Sequence, residues 1–590
     1  MFKKIAPLFC FFVMLFVVTL VSKTETTLIP EDILKLMTIE EKVGQMVQVK
    51  VLKNDISSLK FKKTPSKKTE DLIKNYHVGS VIFYRMDNIE EVINYNNSMQ
   101  QWSIESGAHL PLLIASDFET GVGYNVLKGA TLFPHQMGVA AAGDVDLAEK
   151  ISGIIADEAK AIGVYWNYSP VADINTNINN PVIGVRAFGD TADVVTKYSL
   201  AYVQGYQKNG IMATAKHYPG HGDTNTDSHK DLPVVNYDVS TLKNVYFKPF
   251  ESLINMGVKS IMTSHIILKE IDETLPATLS PKILTDMLRV QHGFRGIVVT
   301  DAMSMDGISN FFEIDEATVL AVQAGADIVM ATGSYEDQIM TVQSLIDAVK
   351  GGVISEKRLN SSVIKILMEK SKLGLSKNPF SSLMKAKELC GSEKHRRIAE
   401  QAAKKSMTLL LNNTILPIKK EMKVLVTGVF GVDEISMDLK NIIDNVVSYK
   451  IKRHFFQYNG FDISESDITN IINLAQGSDT VVITTYSSYK PPLSKGQIEL
   501  VEEVKKLNKP VVIVSLGLPY DIKDLPDIDA FVATYALNRW AAPVSSVKGD
   551  ISEVISEAIA DVLTGKYNPT GKLPVSIPGT KYIKGYGLNY

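Results

Sequence analysis

The sequence predicts an α/β protein in two parts: an N-terminal (β/α)8 TIM barrel over residues 30–375 and a C-terminal α/β layered sandwich domain over residues 393–590. Three observations predict it. Eight short β-rich runs, apolar through their length, alternate with helix-length amphipathic stretches, which is the pattern of parallel strands covered on both faces and closed into a barrel. Beyond residue 375 the pattern changes: "GLSKNPFSS" leads into a linker over 376–392, and a new alternation of strands and helices follows. A chain of 590 residues also exceeds what one hydrophobic core supports.

The first helix starts at Thr38, where Thr-Ile-Glu-Glu sets Glu41 three residues after a threonine, the spacing of a capping box. The eight runs follow at residues 43–49, 78–84, 112–117, 164–173, 212–217, 259–265, 296–301 and 326–332. Asp117, Asp173, His217, His265 and Asp301 each stand where such a run stops. All five therefore belong on the rim at the C-terminal ends of the strands, where barrel enzymes keep their active sites. Loops are polar for ordinary reasons, but five ionisable residues in five such places exceed that background. In the second part, strands are expected at 423–427, 480–486, 511–516 and 531–535, with helices over 393–407 and 551–563, the latter closed by Gly565 as a C-cap.

Hydrophobic residues at 45%, charged residues at 22% and a formal charge of -3 leave no basic excess that would attract nucleic acid, so no nucleic-acid partner is expected. Lys3 and Lys4 precede an uncharged apolar run over 5–21, and residues 1–22 read as an export signal. The run approaches the length of a membrane span and lacks a clean small-x-small cleavage site, so membrane anchoring through residues 5–21 is the alternative. Either reading places the protein outside the cytoplasm: secreted, periplasmic or at the cell surface. Cys10 and Cys390 are the only cysteines, too few for a disulfide framework or a thiolate metal site.

The loop after the fifth run is the most informative stretch. "KHYPGHGDTNTDSH", residues 216–229, holds three of the ten histidines. His217, His221 and His229 with Asp223 and Asp227 are ligand types that suit zinc. The H-x-H pair that opens barrel metallohydrolases is missing from "VGQMVQV", however, and the late carboxylate ends the seventh run and not the eighth. No metal and no cofactor are therefore expected. Acid/base chemistry fits better, because a histidine with its ordinary pKa of about 6.5 can give and take a proton near neutrality. Asp227 and His229 lie two apart, close enough for the carboxylate to hold one ring nitrogen. Asp301, in "GIVVTDAMSMDG", is a carboxylate on a rigid strand end, suited to act as nucleophile or electrostatic stabiliser. A rim carboxylate with a rim acid points to glycoside cleavage.

"LFPHQMGVAAAG", "NPVIGVRAFGD", "AKHYPGHGDTNTDSHKDLP" and "VVTDAMSMDG", in that order, resemble the barrel domain of glycoside hydrolase family 3. The resemblance is specifically to its bacterial β-N-acetylglucosaminidases acting on peptidoglycan fragments. "YNPTGKLPVSIP" resembles the family's second domain, so the likeness covers nearly all of the chain after residue 22. It implies that Asp301 attacks the anomeric carbon to form a covalent glycosyl-enzyme, and that His229, held by Asp227, serves as acid and then as base, with retention of configuration. It further implies that Asp117, Arg186, Lys216 and His217 bind the terminal sugar of a carbohydrate substrate. One motif departs from the family's D-Q-E-G-G-x-V-x-R: this chain reads "DFETGVGYN", with Asn125 in place of the final basic residue. The resemblance is therefore weakest for the contact to the sugar's far hydroxyl and for a strict preference for N-acetylglucosamine.

His221, within "PGHG", is expected to fix the shape of its loop. His265 either lines the pocket or packs behind it, and Met303 and Met305 either wall the pocket or belong to the core. His77, His109, His135, His292, His395 and His454 are scattered and read as structural. Three alternatives stay open: a related β-glucosidase, a phosphorylase that replaces water with phosphate, and a non-catalytic wall-binding protein. The second domain shows no phosphate-binding glycine loop. The sequence leaves its role, and the oligomeric state, open.

Overall fold

The computed structural model describes residues 29–52, 65–452, 463–487, 492–536 and 550–590, so the expected export signal or anchor at 1–22 lies outside the described residues. Eight strands form one parallel sheet: β1 (Val47–Lys50), β2 (Ser80–Ile82), β3 (Leu113–Ser116), β4 (Trp166–Asn167), β5 (Met212–Tyr218), β6 (Ser260–Thr263), β7 (Ile297–Val299) and β8 (Val329–Ala331). They pair in chain order, and β8 pairs back onto β1 through Val47↔Val329. Between β7 and β8 the ladder shrinks to one bridge, Val299↔Ile328, beside which Ile328 N donates to Val298 O at 3.1 Å. The sheet thus returns on itself as the expected barrel.

The strands read as they do because both their faces are buried. Val47, Val49, Val81, Ile82, Val298 and Val299 are all shut off from water. Polar side chains within the barrel pair with one another: Gln48 Nε2 donates to Ser80 Oγ at 2.7 Å, and Tyr168, just past β4, donates to Gln48 Oε1 from across the barrel. The Thr38–Glu41 capping box is present, but its helix, Ile39–Gln45, takes the first three residues of the expected run 43–49. Val43 packs there as the buried face of a helix, and β1 begins only at Val47. The expected run 164–173 yields a ladder of two residues, because Pro170 has no N–H to donate; one further bridge, Val171↔Lys216, carries the pairing on.

The second domain is a six-stranded sheet: β9 (Thr408–Asn412), β10 (Lys423–Gly428), β11 (Asn445–Lys450), β12 (Thr480–Thr485), β13 (Val511–Ser515) and β14 (Ala530–Ala533). The spatial order is β9-β14-β13-β12-β10-β11, parallel throughout except for antiparallel β9. The two edge strands, β9 and β11, are additions to the four expected from the sequence. Helices Glu393–Ser406 and Glu553–Leu563 pack against each other on this domain, and Gly565 takes the left-handed conformation just past the second, with φ of 75°. The segment expected as a linker contains a short helix, Leu383–Leu389, and lies against the barrel, where Asn97 exchanges two hydrogen bonds of 2.9 Å with the backbone of Ser381. Among the described residues no helix is long and apolar enough to cross a membrane.

Candidate active site

A cavity of about 660 Å³ opens at the C-terminal ends of the barrel strands. Asp117, Arg186, Lys216, His217, His229 and Asp301 all line it. Asp227 stands behind the lining, its Oδ1 accepting the backbone N–H of His229 at 3.0 Å and lying 2.9 Å from the ring Nδ1. With Nδ1 turned to Asp227, Nε2 is the ring nitrogen positioned to exchange a proton with a ligand. Asp227 is buried while the His229 side chain is 38% exposed, so the carboxylate is fixed and the ring it holds reaches solvent and the cavity.

Asp301 follows β7 by two residues, and Thr300 between them is tied to β8, its Oγ1 accepting the Met330 N–H at 2.9 Å. Burial alone would raise the Asp301 carboxyl. The imidazoles of His217, His265 and His229 and the Ala302 N–H, donated at 2.7 Å, outweigh burial and hold it at about 2. Asp301 is therefore an anion throughout the neutral range, as a carboxylate nucleophile must be.

On the other side of the cavity four charges interlock. Lys216 Nζ lies 2.6 Å from Asp117 Oδ1 and 2.7 Å from Glu119 Oε1. Arg186 donates twice to Glu119, Nε to Oε2 at 3.0 Å and Nη2 to Oε1 at 2.7 Å, and its Nη1 donates to Val182 O at 3.1 Å. Burial would raise the Glu119 carboxyl, but the two cations hold it well below the usual carboxylate range. For Lys216 burial would depress the ammonium, yet Asp117 and Glu119 raise it. A set with two positive and two negative groups can meet sugar hydroxyls as donor and as acceptor without a net local charge.

His217 is aimed from below: Asp173, fully buried, accepts its N–H, lies 2.7 Å from its Nδ1 and accepts the His221 N–H at 2.6 Å. His221 holds the loop, with Nδ1 at 2.9 Å from Thr224 Oγ1 and Nε2 at 2.8 Å from Ser228 Oγ, and it lines the cavity as well. His265 packs behind Asp301, bonded to Thr278 Oγ1 at 2.8 Å and Ala302 O at 3.1 Å, and stays out of the lining. Met305 walls the cavity, whereas Met303 is buried outside the lining. His454 lies outside the described residues. Among the described residues no group of three or more His, Cys, Asp or Glu could hold a metal ion.

Residues 38–368 match the Glycosyl hydrolase family 3 N terminal domain, and residues 407–587 match the Glycosyl hydrolase family 3 C-terminal domain. The chain belongs to glycoside hydrolase family 3. It is 29% identical over 557 residues to Beta-hexosaminidase A of Pseudoalteromonas piscicida, covering 86% of this chain and 90% of that protein. It is 26% identical over 566 residues to Beta-N-acetylglucosaminidase/beta-glucosidase of Cellulomonas fimi, covering 91% and 93%. Among solved structures it resembles a glycoside hydrolase family 3 beta-N-acetylglucosaminidase from Paenibacillus sp. str. FPU-7, with a TM-score of 0.81 and 31% identity over 92% of this chain and all of that one. This family 3 protein is a glycoside hydrolase, and its substrate is a carbohydrate.

Several residues of the family 3 cavity escape the sequence reading. Glu119, the hub of the charge set, stands two residues after Asp117 inside the motif "DFETGVGYN", where the spacing could have flagged it. Lys50, Tyr84, Arg85, Tyr168 and Thr332 also line the cavity and carry no motif of their own. Asn125, at the motif's departure, has become a brace: its Nδ2 donates to Ser116 Oγ at 3.1 Å and to Asp117 O at 2.9 Å, and its Oδ1 accepts the Arg85 N–H at 3.3 Å. It shapes the backbone beneath Asp117.

Proposed function

We propose that this family 3 hydrolase is a retaining, exo-acting β-N-acetylglucosaminidase that removes terminal non-reducing N-acetylglucosamine from peptidoglycan or related glycan fragments. The observation that carries the reading is that His229, with Asp227 behind it, and Asp301 line one cavity together with Asp117, Arg186, Lys216 and His217. In the first step an Asp301 oxygen attacks the anomeric carbon while His229 passes a proton to the departing glycosidic oxygen. In the second, His229 takes a proton from water, whose oxygen displaces Asp301 from the sugar and restores the original configuration. Asp117, Arg186, Lys216 and His217 hold the hydroxyls of the terminal sugar. The Paenibacillus relative, a beta-N-acetylglucosaminidase, supports N-acetylglucosamine as that sugar, and the Pseudoalteromonas beta-hexosaminidase agrees with it.

A second reading, cleavage of β-glucosides as well, is favoured by the double name of the Cellulomonas relative and by the altered motif at Asn125. Chromogenic β-N-acetylglucosaminide and β-glucoside assays, each with wild type and Asp301→Ala, test both readings. Release from the first substrate that Asp301→Ala abolishes, by roughly 10⁴-fold or more, is expected; no release by wild type from either would overturn the proposal. Product formation in phosphate buffer distinguishes hydrolysis, the expected outcome, from phosphorolysis, which would yield a sugar 1-phosphate. Export through residues 1–22 belongs to the same proposal, and fractionation with N-terminal sequencing of the mature chain tests it.

A further inference from the structure

His229 is carried by a loop, whereas Asp301 stands beside a strand end, so something has to keep the two groups at a constant separation. Ser228, between Asp227 and His229, is buried and held at two points. Its Oγ lies 2.8 Å from His221 Nε2, and its carbonyl accepts the Gly307 N–H at 3.0 Å. Gly307 sits in the short helix Asp306–Ser309, six residues beyond the nucleophile on the same segment. A Cβ added there would meet Ser228 O at 2.9 Å, Asp231 O at 3.1 Å and His265 Cβ at 3.4 Å, so the nucleophile's segment presses on the acid/base loop with no room for a side chain.

The other anchor is equally fixed. His221 has its backbone N–H on Asp173, its carbonyl on Asn180 Nδ2 at 2.8 Å and its Nδ1 on Thr224. Burial pushes the His221 ring down to about 4, so it stays neutral in the working range, with one donor and one acceptor nitrogen for its two hydroxyl partners.

We propose that Ser228 is the positioning residue of the acid/base group: its hydroxyl ties the loop to His221, its carbonyl ties it to Gly307, and these two ties set the spacing between the His229 imidazole and the Asp301 carboxylate. Proton transfer needs a heavy-atom separation of about 2.6–3.2 Å, and a misplacement of about 1 Å can cost on the order of 100-fold. Loosening either tie therefore weakens proton donation to the leaving group and spares the attack by Asp301.

This inference rests on His229 being the acid/base group, so the experiment carries a control for that reading. The full-length wild type, His229→Ala, Ser228→Ala and Gly307→Ala proteins are compared on N,N′-diacetylchitobiose, whose leaving alcohol needs a proton, and on 2,4-dinitrophenyl β-N-acetylglucosaminide, whose leaving group does not. The readout is the ratio of the two kcat/KM values. Ser228→Ala and Gly307→Ala are each expected to lower the chitobiose-to-aryl ratio by about 10- to 100-fold, a partial loss of the roughly 100- to 10⁴-fold that general acid catalysis supplies. His229→Ala is expected to lower it at least as far. Equal losses on both substrates in Ser228→Ala and Gly307→Ala, or a ratio left at the wild-type value by either, would overturn the positioning role while leaving the acid/base assignment intact. A wild-type ratio in His229→Ala would instead overturn the acid/base assignment, and the positioning role with it.

Discussion

Glu119 makes three polar contacts in the cavity, two with Arg186 and one with Lys216. A glutamine there keeps the shape and removes one of the set's two negative charges, so Lys216 and Arg186 lose half of their neutralisation in a buried place. Glu119→Gln is expected to raise KM and lower kcat/KM by on the order of 100-fold, with the chitobiose-to-aryl ratio unchanged, because the damage falls on sugar binding and not on proton donation. Steady-state kinetics on both substrates checks this. Asp301, the proposed nucleophile, makes a separate prediction. Its carboxyl is depressed to about 2, so the ionised, attacking form persists well below the usual carboxylate range. The stability that this depression contributes is present in full above the unfolded pKa of about 3.9 and is lost as pH falls through about 2. The kcat/KM on the dinitrophenyl substrate, which needs no acid, should stay flat from pH 7 to pH 4; a fall with a midpoint near 5 would contradict the depressed carboxyl. These residue-level roles were legible to different depths. Asp227, His229 and Asp301 stood out because their chemistry and spacing are local. Glu119 does not stand out, and Asp173 does so as a rim carboxylate but not as the support of His217, because their partners lie 67 and 44 positions away in the chain.

At the scale of elements, legibility followed burial pattern. Strands with both faces covered announce themselves as apolar runs, and the eight of the barrel do so. The edge strand Asn445–Lys450 alternates exposed and half-buried residues, so it carries no such run and was missed; Thr408–Asn412 stands directly behind a helix with one residue between them. Run ends were misplaced where a neighbouring element took the residues, as the helix Ile39–Gln45 took Val43. The helix Glu356–Lys372 makes a prediction of its own. Its Lys370 is buried, donating to Gln45 Oε1 at 2.6 Å and Gly79 O at 2.8 Å, and among the described residues no carboxylate pairs with it. Burial pushes its ammonium down to about 7. A lysine depressed on folding binds fewer protons folded than unfolded between about pH 7 and its ordinary value near 10.4, so its burden on stability is full below pH 7 and is relieved as pH rises. Wild-type unfolding free energy should therefore climb relative to Lys370→Met above pH 7, at up to about 1.4 kcal/mol per pH unit, in denaturant titrations at pH 6, 7.5 and 9. Parallel curves for the two proteins would refute it.

For the whole molecule, the arrangement of the two domains gives the second one a role that no local pattern in the sequence could express. Glu158, on the barrel helix Val145–Ala161, collects four hydrogen bonds in a buried site. Its Oε1 accepts Thr131 Oγ1 at 2.5 Å and the Gly391 N–H at 2.9 Å and lies 2.8 Å from His395 Nδ1, while its Oε2 accepts the Thr131 N–H at 2.9 Å. Thr131 closes the loop that carries Glu119, its carbonyl accepting the Gly123 N–H at 3.0 Å. His395 belongs to the first helix of the second domain, and from the same domain Tyr535 O accepts the His135 N–H at 3.3 Å. Gln136, the next residue, donates to Arg186 O at 2.8 Å and to Val171 O at 3.0 Å. The second domain thus braces the barrel loops that hold Glu119 and Arg186, through contacts such as His395–Glu158, which spans 237 positions. A glutamine at 158 has one acceptor oxygen and two amide hydrogens, so at least one of the surrounding donors is left facing another donor. Glu158→Gln is expected to destabilise the protein by about 2–4 kcal/mol, as loss of a buried, charge-assisted network does. It should also raise KM on both substrates with little change in their kcat/KM ratio, the opposite signature to loosening Ser228. Thermal unfolding followed by near-ultraviolet circular dichroism, paired with kinetics well below the transition, measures both. A variant with wild-type unfolding and wild-type KM would mean that this network contributes nothing to stability, and that the loops carrying Glu119 and Arg186 hold their shape without it.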